Sequence, residues 1–210
     1  MNSIDNLKWR YAVKKFDHHK ILSDHQINIL KQAFNLTATS YGLQPIKLVV
    51  VKNKDIQKEL VQHSWNQQQI SQASHLLVIC IDTKLDKNDV EKYFERVKEI
   101  RNTPDEIINS FKEYLTTTIS EKTTEDLLSW GKNQAYLALG NLLTVCANEK
   151  IDSCPMEGFI PEKYNEVLGL KEQNLSSVLV LPVGYRAEDD IMTHQKKVRK
   201  NIDEIVIDIS

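Results

Sequence analysis

The stretch richest in binding chemistry is Pro155-Met156-Glu157-Gly158-Phe159. Proline donates no backbone hydrogen bond and biases Cys154 toward an extended conformation, while Gly158 lets the backbone turn sharply or approach something closely. A backbone presented edge-on suits a flat ligand, because its N–H groups reach heteroatoms with no side chain between. An ordinary helix-to-strand connection uses the same residues, and spacing alone favours that plainer use. Two further stretches are cationic. Arg10-Tyr11-Ala12-Val13-Lys14-Lys15-Phe16 sets positive groups among apolar ones, and Lys196-Lys197-Val198-Arg199-Lys200 packs four cations into five residues. Each suits an anion, and each also reads as a solvated basic surface. Thr37-Ala38-Thr39-Ser40-Tyr41-Gly42-Leu43-Gln44-Pro45 is a loop of small donors that wraps a polar ligand or turns a corner, and its pattern favours the corner.

Other chemistries find less material. No Gly-x-Gly-x-x-Gly and no Gly-x-x-x-x-Gly-Lys-Ser/Thr occurs, so any phosphate must be held largely by side-chain cations. The six histidines lack ligand spacing; no metal site is expected, and His75 reads as a hydrogen-bonded structural residue. Cys154 lies beside the candidate loop, but no histidine is placed in sequence to suggest a dyad, so the thiol reads as inert. No catalytic side chain is nominated.

Composition narrows the class. With 27% charged and 41% hydrophobic residues and a formal net charge of -2, the chain reads as an ordinary soluble protein without a nucleic-acid footprint in its total charge. A nucleic-acid reading of residues 196–200 would show itself in strong salt dependence. Three cysteines, two inside apolar runs, point to a reducing compartment. The N-terminus lacks a signal-peptide core and no apolar run reaches spanning length, so a cytoplasmic location is expected, with no membrane partner.

The elements that must position these residues follow from periodicity. Residues 124 to about 150 form a long helix, apolar nearly all round and therefore buried, the spine of the fold, and Asp152–Phe159 then reads as loop. Helices are also expected at residues 3–9, from Ser23 or Asp24 to about Asn35, from Lys54 to Trp65, and from Glu162 to Leu168, the last closed by Gly169 at C′. Strands are expected at Ile46–Val51, Leu76–Ile81 and Ser176–Tyr185; the second, continuously apolar, reads as central and covered on both faces. Residues 87–122 form a charged helical excursion. In the tail, Ile205, Ile207 and Ile209 alternate as in a strand, which needs a sheet edge to join, its own or a partner's. The whole is one α/β or α+β domain spanning residues 1–210.

Taken in order, Arg10-x-x-x-Lys14-x-Phe16, Thr39-Ser40-x-x-x-Gln44-Pro45, Asn66-Gln67, Ala73-Ser74-His75, Pro155-Met156-Glu157-Gly158-Phe159 and Lys197-x-Arg199 resemble the oxygen-insensitive nitroreductase family along nearly the whole chain. The resemblance implies an α+β, nitroreductase-like fold with a central mixed β-sheet flanked by helices. It further implies a homodimer in which a partner's C-terminal strand, from residues 201–210, completes each domain and FMN binds at the interface. Electrons would pass from NADH or NADPH to a small aromatic oxidant, a nitroaromatic or a quinone, in two strokes.

By the same resemblance Arg10, Lys197 and Arg199 hold the FMN phosphate, a dianion needing roughly two or three charge-assisted partners. Lys14 lies where negative charge gathers on the reduced ring, near N1 and O2, and so raises the reduction potential. Asn66 bonds the pyrimidine edge; Glu157 and Gly158 offer N–H groups to N5 and O4; Thr39 and Ser40 reach across from the other subunit. Tyr11, Ala12 and Met156 complete the cofactor-binding set. Gln69 stands where some relatives have a second lysine, which implies a flavin harder to reduce. Gly42 stands where some have asparagine and also belongs to the set, without a hydrogen-bonding side chain. Alternatives are a flavin reductase of the same fold, or a non-catalytic flavin-binding redox sensor.

Overall fold

The computed structural model describes residues 2–209 of the chain. Its centre is β2 (His75–Asp82), a run of apolar residues buried along nearly its whole length. In a strand successive side chains point to opposite faces, so a continuous apolar run demands cover on both. Leu77, Ile79 and Ile81 meet one core with α2 (Asp24–Asn35) and α7 (Thr124–Asn148). Leu76, Val78 and Cys80 meet a second with Leu60 of α3 (Lys54–Gln62), Ile70 of α4 (Gln69–Gln72) and Tyr164 of α8 (Pro161–Val167).

β2 pairs antiparallel with β1 (Ile46–Val51) on one side and with β4 (Leu175–Gly184) on the other, and β3 (Asp152–Ser153) pairs antiparallel with β4 at the far edge. The mixed sheet that the resemblance implies is not seen within the single chain among the described residues. All pairings among these four strands are antiparallel, and the parallel element is a single bridge between Ala12 and Ser153. Burial on both faces produces the same apolar run whatever the direction of the neighbours, so direction could not be read from it. β3 is a second correction, since Asp152–Ser153 was expected as loop; two polar residues carry no periodicity to betray a strand.

Helix starts follow local chemistry. Ser23 rather than Asp24 caps α2, forming a capping box with Gln26, and Thr123 does the same for α7 with Asp126. α1 (Ser3–Trp9) starts on Asn2, whose side chain accepts from the Asp5 N–H. Gly169 follows α8 with φ +59°, the left-handed C′ conformation that favours glycine. α5 (Lys87–Arg101) and α6 (Asp105–Ser120) form a hairpin with a small core of its own around Val90, Phe94, Ile108, Leu115 and Ile119.

α7 is less enclosed than its composition implies. Ala135, Ala138, Leu139, Leu142 and Cys146 are buried against the sheet, but Tyr136 is 46% and Leu137 55% exposed. The tail differs too. Residues 202–204 form a 3-10 turn and 205–209 are irregular, with Ile205, Ile207 and Ile209 64%, 87% and 94% exposed, so the alternating isoleucines join no strand of their own chain among the described residues. Among the described residues no helix is long and apolar enough to cross a membrane.

Candidate functional site

The chain leaves α1 in an extended conformation at Arg10, and several contacts fix where that happens. Asn6 donates to Asn148 at 2.8 Å, tying α1 to the end of α7. Next to Arg10, Trp9 is flanked by Lys150 (4.6 Å from the ring centroid) and by the Arg186 guanidinium (4.4 Å), which also lies 4.5 Å from the Tyr11 centroid. Arg186 is held by Asp152, which accepts from its Nε at 2.8 Å and from its backbone N–H at 2.8 Å. Ala12 then bridges Ser153, bringing Arg10–Lys14 alongside β3.

The C-terminal basic segment closes on this segment. Lys197 Nζ donates to the Arg10 carbonyl. The Arg10 guanidinium is partly buried with its Nε unpartnered among the described residues, and burial first, then the charge of Arg199, hold its pKa below the usual value. Lys197 is likewise held down by burial first and then by Arg10, Arg199 and Arg186, all positive. Three cations thus crowd to their mutual disadvantage around a buried donor that has no partner among the described residues. The expected phosphate group of Arg10, Lys197 and Arg199 is therefore brought together by the fold.

The Pro155–Gly158 loop lies next along. Met156 exchanges two hydrogen bonds with Val180, 2.8 and 3.1 Å, after which the chain departs the sheet, and neither the Glu157 nor the Gly158 N–H finds a partner among the described residues. Facing the loop, Trp65 and Asn66 both take left-handed φ values, 53° and 57°, where a non-glycine backbone is strained. A Cβ added to Gly158 would lie 2.8 Å from the Trp65 ring, so glycine here permits a close approach. Gln67 donates to the Gly158 carbonyl at 3.1 Å and accepts from Gln69 at 3.1 Å. Gln69 is thus buried in a relay that fixes the loop, a use that its type did not announce. The Lys14 charge acts on the Cys154 thiol, partly offsetting the effect of burial.

Thr39, Ser40 and Gly42 sit elsewhere. The Ser40 N–H donates to Gln134 of α7 at 2.8 Å, and Thr39 Oγ1 accepts from the Gln44 N–H at 3.2 Å. Gly42 has φ +75°, and a Cβ there would fall 3.0 Å from the Tyr93 hydroxyl, so the space and backbone that favour glycine over asparagine are both visible. The Glu157 carboxylate faces Tyr136 and, after burial, helps raise its phenol pKa. Two residues on from Gln134, Tyr136 is turned about 160° around α7. Within one chain the Thr39–Gly42 loop and the Glu157 loop therefore lie on opposite sides of α7.

Cys154 is fully buried and its thiol is pushed up chiefly by burial, and burial pushes Cys146 up to about 12. These are poor nucleophiles. His75 is buried with Nδ1 2.8 Å from Ser74 Oγ, the structural role expected of it. Among the described residues no cluster of His, Cys, Asp or Glu could hold a metal ion. Trp9, Trp65, Asp152, Arg186 and Asp190 surround the site without having been expected; only the topology brings them there, and no local pattern marks them.

The nitroreductase family model matches residues 7–185. YfkO of Bacillus subtilis, provisionally named an NAD(P)H nitroreductase, is 31% identical over 217 aligned positions, covering 97% of this chain and 95% of that protein. SERP2086 of Staphylococcus epidermidis, provisionally named likewise, is 32% identical over 211, covering 97% and 94%. A nitroreductase family protein of Streptococcus pneumoniae superposes with TM-score 0.84 at 25% identity, covering 99% of this chain and 100% of that one. A provisionally named nitroreductase of Exiguobacterium sibiricum, solved in complex with FMN, superposes with TM-score 0.85 at 18% identity, covering 99% and 97%.

Proposed function

This chain belongs to the nitroreductase family, an FMN-dependent oxidoreductase family, and from that premise we propose that it passes electrons from NAD(P)H to nitroaromatics or quinones. The observation that carries the reading is the gathering of Lys197 and Arg199 at Arg10, whose buried Nε has no partner among the described residues, in a chain whose Glu157 and Gly158 N–H groups likewise find none there. The residues present fit FMN. Arg10, Lys197 and Arg199 would neutralise its phosphate; Asn66 and Gln69 would serve its pyrimidine edge; Lys14 would favour negative charge there; Glu157 and Gly158 would offer N–H groups to the ring; Tyr11, Ala12 and Met156 would wall the site. When bound, FMN would supply two-electron hydride chemistry, accepting from a nicotinamide and passing to an oxidant. The protein binds, orients and sets the field, and no side chain acts as acid, base or nucleophile.

Thr39, Ser40 and Gly42 join this site from the other subunit of a homodimer. Three features support that reading: the position of their loop across α7, the exposed Tyr136 and Leu137, and β1 at an open sheet edge while the isoleucine-rich tail lies exposed. Residues 201–210 then clasp the partner. Deleting them will weaken the dimer, seen by light scattering as a shift toward monomer at low concentration; an unaltered dimer would count against the clasp.

The test of function is the visible spectrum of the purified protein followed by addition of NADPH. Flavin absorbance, bleached by NADPH and restored by menadione or a nitroaromatic, is the expected result. A protein that takes up no FMN overturns the reading, and a bound flavin that no nicotinamide reduces turns it toward a redox sensor.

A further inference from the structure

We propose that the buried carboxylate of Asp190 is a positioning residue for Lys14, and through it sets how readily the bound flavin is reduced; this rests on the flavin reading above. Asp190 is 2% exposed, and no lysine or arginine pairs with it among the described residues. Instead, one of its oxygens accepts from the Lys14 N–H at 3.0 Å, the Lys15 N–H at 3.4 Å and the Tyr11 hydroxyl at 3.1 Å. The other accepts from the Met192 N–H at 3.1 Å. Thr193 Oγ1, 2.9 Å from the same Tyr11 hydroxyl, closes the network. Burying an unpaired carboxylate is costly, and a fold needing only a turn at this place has cheaper residues to use. The neighbouring Asp189 shows the contrast, being exposed and paired to the Lys15 side chain.

What the arrangement achieves is geometric. Residues 15–17 run antiparallel to 185–187, with the Asp17 N–H donating to Tyr185 and the Ala187 N–H to Lys15. Beyond that ladder one segment leads back to Lys14 and Arg10, the other on to Lys197 and Arg199, and Asp190 is the residue that ties the Lys14 backbone to the second segment. Two successive N–H groups drawn to one oxygen fix the backbone at Lys14, and hence the direction in which its side chain leaves. An asparagine that keeps its one acceptor oxygen toward the Lys14 and Lys15 N–H groups sets its NH2 against the Met192 N–H, so it cannot reproduce the whole set and must shift.

The two ways in which Asp190 could influence the flavin predict opposite signs. If it places the Lys14 cation near the pyrimidine, losing it moves the cation away and lowers the midpoint potential. If it acts directly as a nearby negative charge, neutralising it raises the potential. The experiment is the midpoint potential of FMN-loaded wild type, Asp190→Asn, Lys14→Met and the double variant, measured spectrophotometrically. The expected result is a lowered potential in Asp190→Asn, in the same direction as Lys14→Met, and a double variant no lower than Lys14→Met alone. A raised or unshifted potential, or additive shifts, overturns the inference. Should the asparagine variant not fold, Asp190→Glu keeps the charge and displaces the oxygens: a lowered potential supports positioning, an unchanged one overturns it. Wild-type protein that binds no FMN would sink the flavin reading itself, whereas unshifted variants of a flavin-loaded wild type sink only this inference.

Discussion

Arg10→Met will loosen FMN by about 10- to 150-fold while leaving the apoprotein as stable as wild type, or more so. A hydrogen bond from a charged group contributes about 1.5–3 kcal/mol, and each 1.4 kcal/mol is about tenfold in affinity. The side chain that provides it is at a disadvantage without a ligand, because burial and Arg199 both disfavour its charge and its Nε is unsatisfied. Methionine keeps the apolar stem and removes the charge, relieving Lys197 and Arg199 as well. Fluorescence titration with FMN and thermal melts of the apoprotein test the two halves together. Full FMN affinity, or a destabilised apoprotein, would show that Arg10 is a structural cation.

The second large effect falls on stability. Asp152→Ala will destabilise the protein by about 3–5 kcal/mol, because removing one partner of a buried ion pair strands the other. For a chain of this size that lowers the melting temperature by roughly 6–20 °C. Asp152 has 6% of its side chain exposed and Arg186 21%, so solvent offers the guanidinium little replacement. Arg186 would also lose the anchor that holds it between Trp9 and Tyr11, and α1 would loosen with it. Removing both charges, Asp152→Ala with Arg186→Met, should recover part of the loss, since the stranded charge goes. Urea denaturation measures all of these, and a single-variant loss below about 1 kcal/mol would show that water reaches the pair freely.

How far the sequence alone revealed this molecule depended on what each residue does. The long helix and β2 were legible because burial leaves a periodic or continuous apolar record, and α2 because a serine stands where the first turn needs an acceptor. Strand direction and the two-residue β3 were not, since neither leaves such a record. The exposure of Tyr136 and Leu137 was hidden for a related reason: an apolar stripe looks the same whether the chain or a second copy covers it. At the site, the cations and the Pro-Met-Glu-Gly loop stood out by type, and their place in the order of the family's motifs gave them meaning. Asp152, Arg186 and Asp190 work by partnership across the fold. Asp152 and Arg186 are separated by 34 positions and Asp190 and Tyr11 by 179, so nothing local marks them. Glycine at 42 looked like a lost side chain until its backbone angle and the Tyr93 ring beside it gave it a reason.

The placement of β2 has a consequence for how the protein is made. Synthesis proceeds at about 5–20 residues per second, and β4 leaves the ribosome roughly 90 residues after β2, a delay of about 5–20 s. During that interval β1 can pair with one edge of β2 and α2, α3 and α4 can begin to cover its faces, but the other edge waits for β4, and the cover of Leu76–Ile81 stays incomplete until α7 and α8 arrive. A stretch so apolar, open along one edge, is the segment of this chain most exposed to wrong pairing. The nascent protein therefore meets its greatest hazard before its spine exists, and its yield in the cell depends on what shields that strand until the last third of the chain arrives.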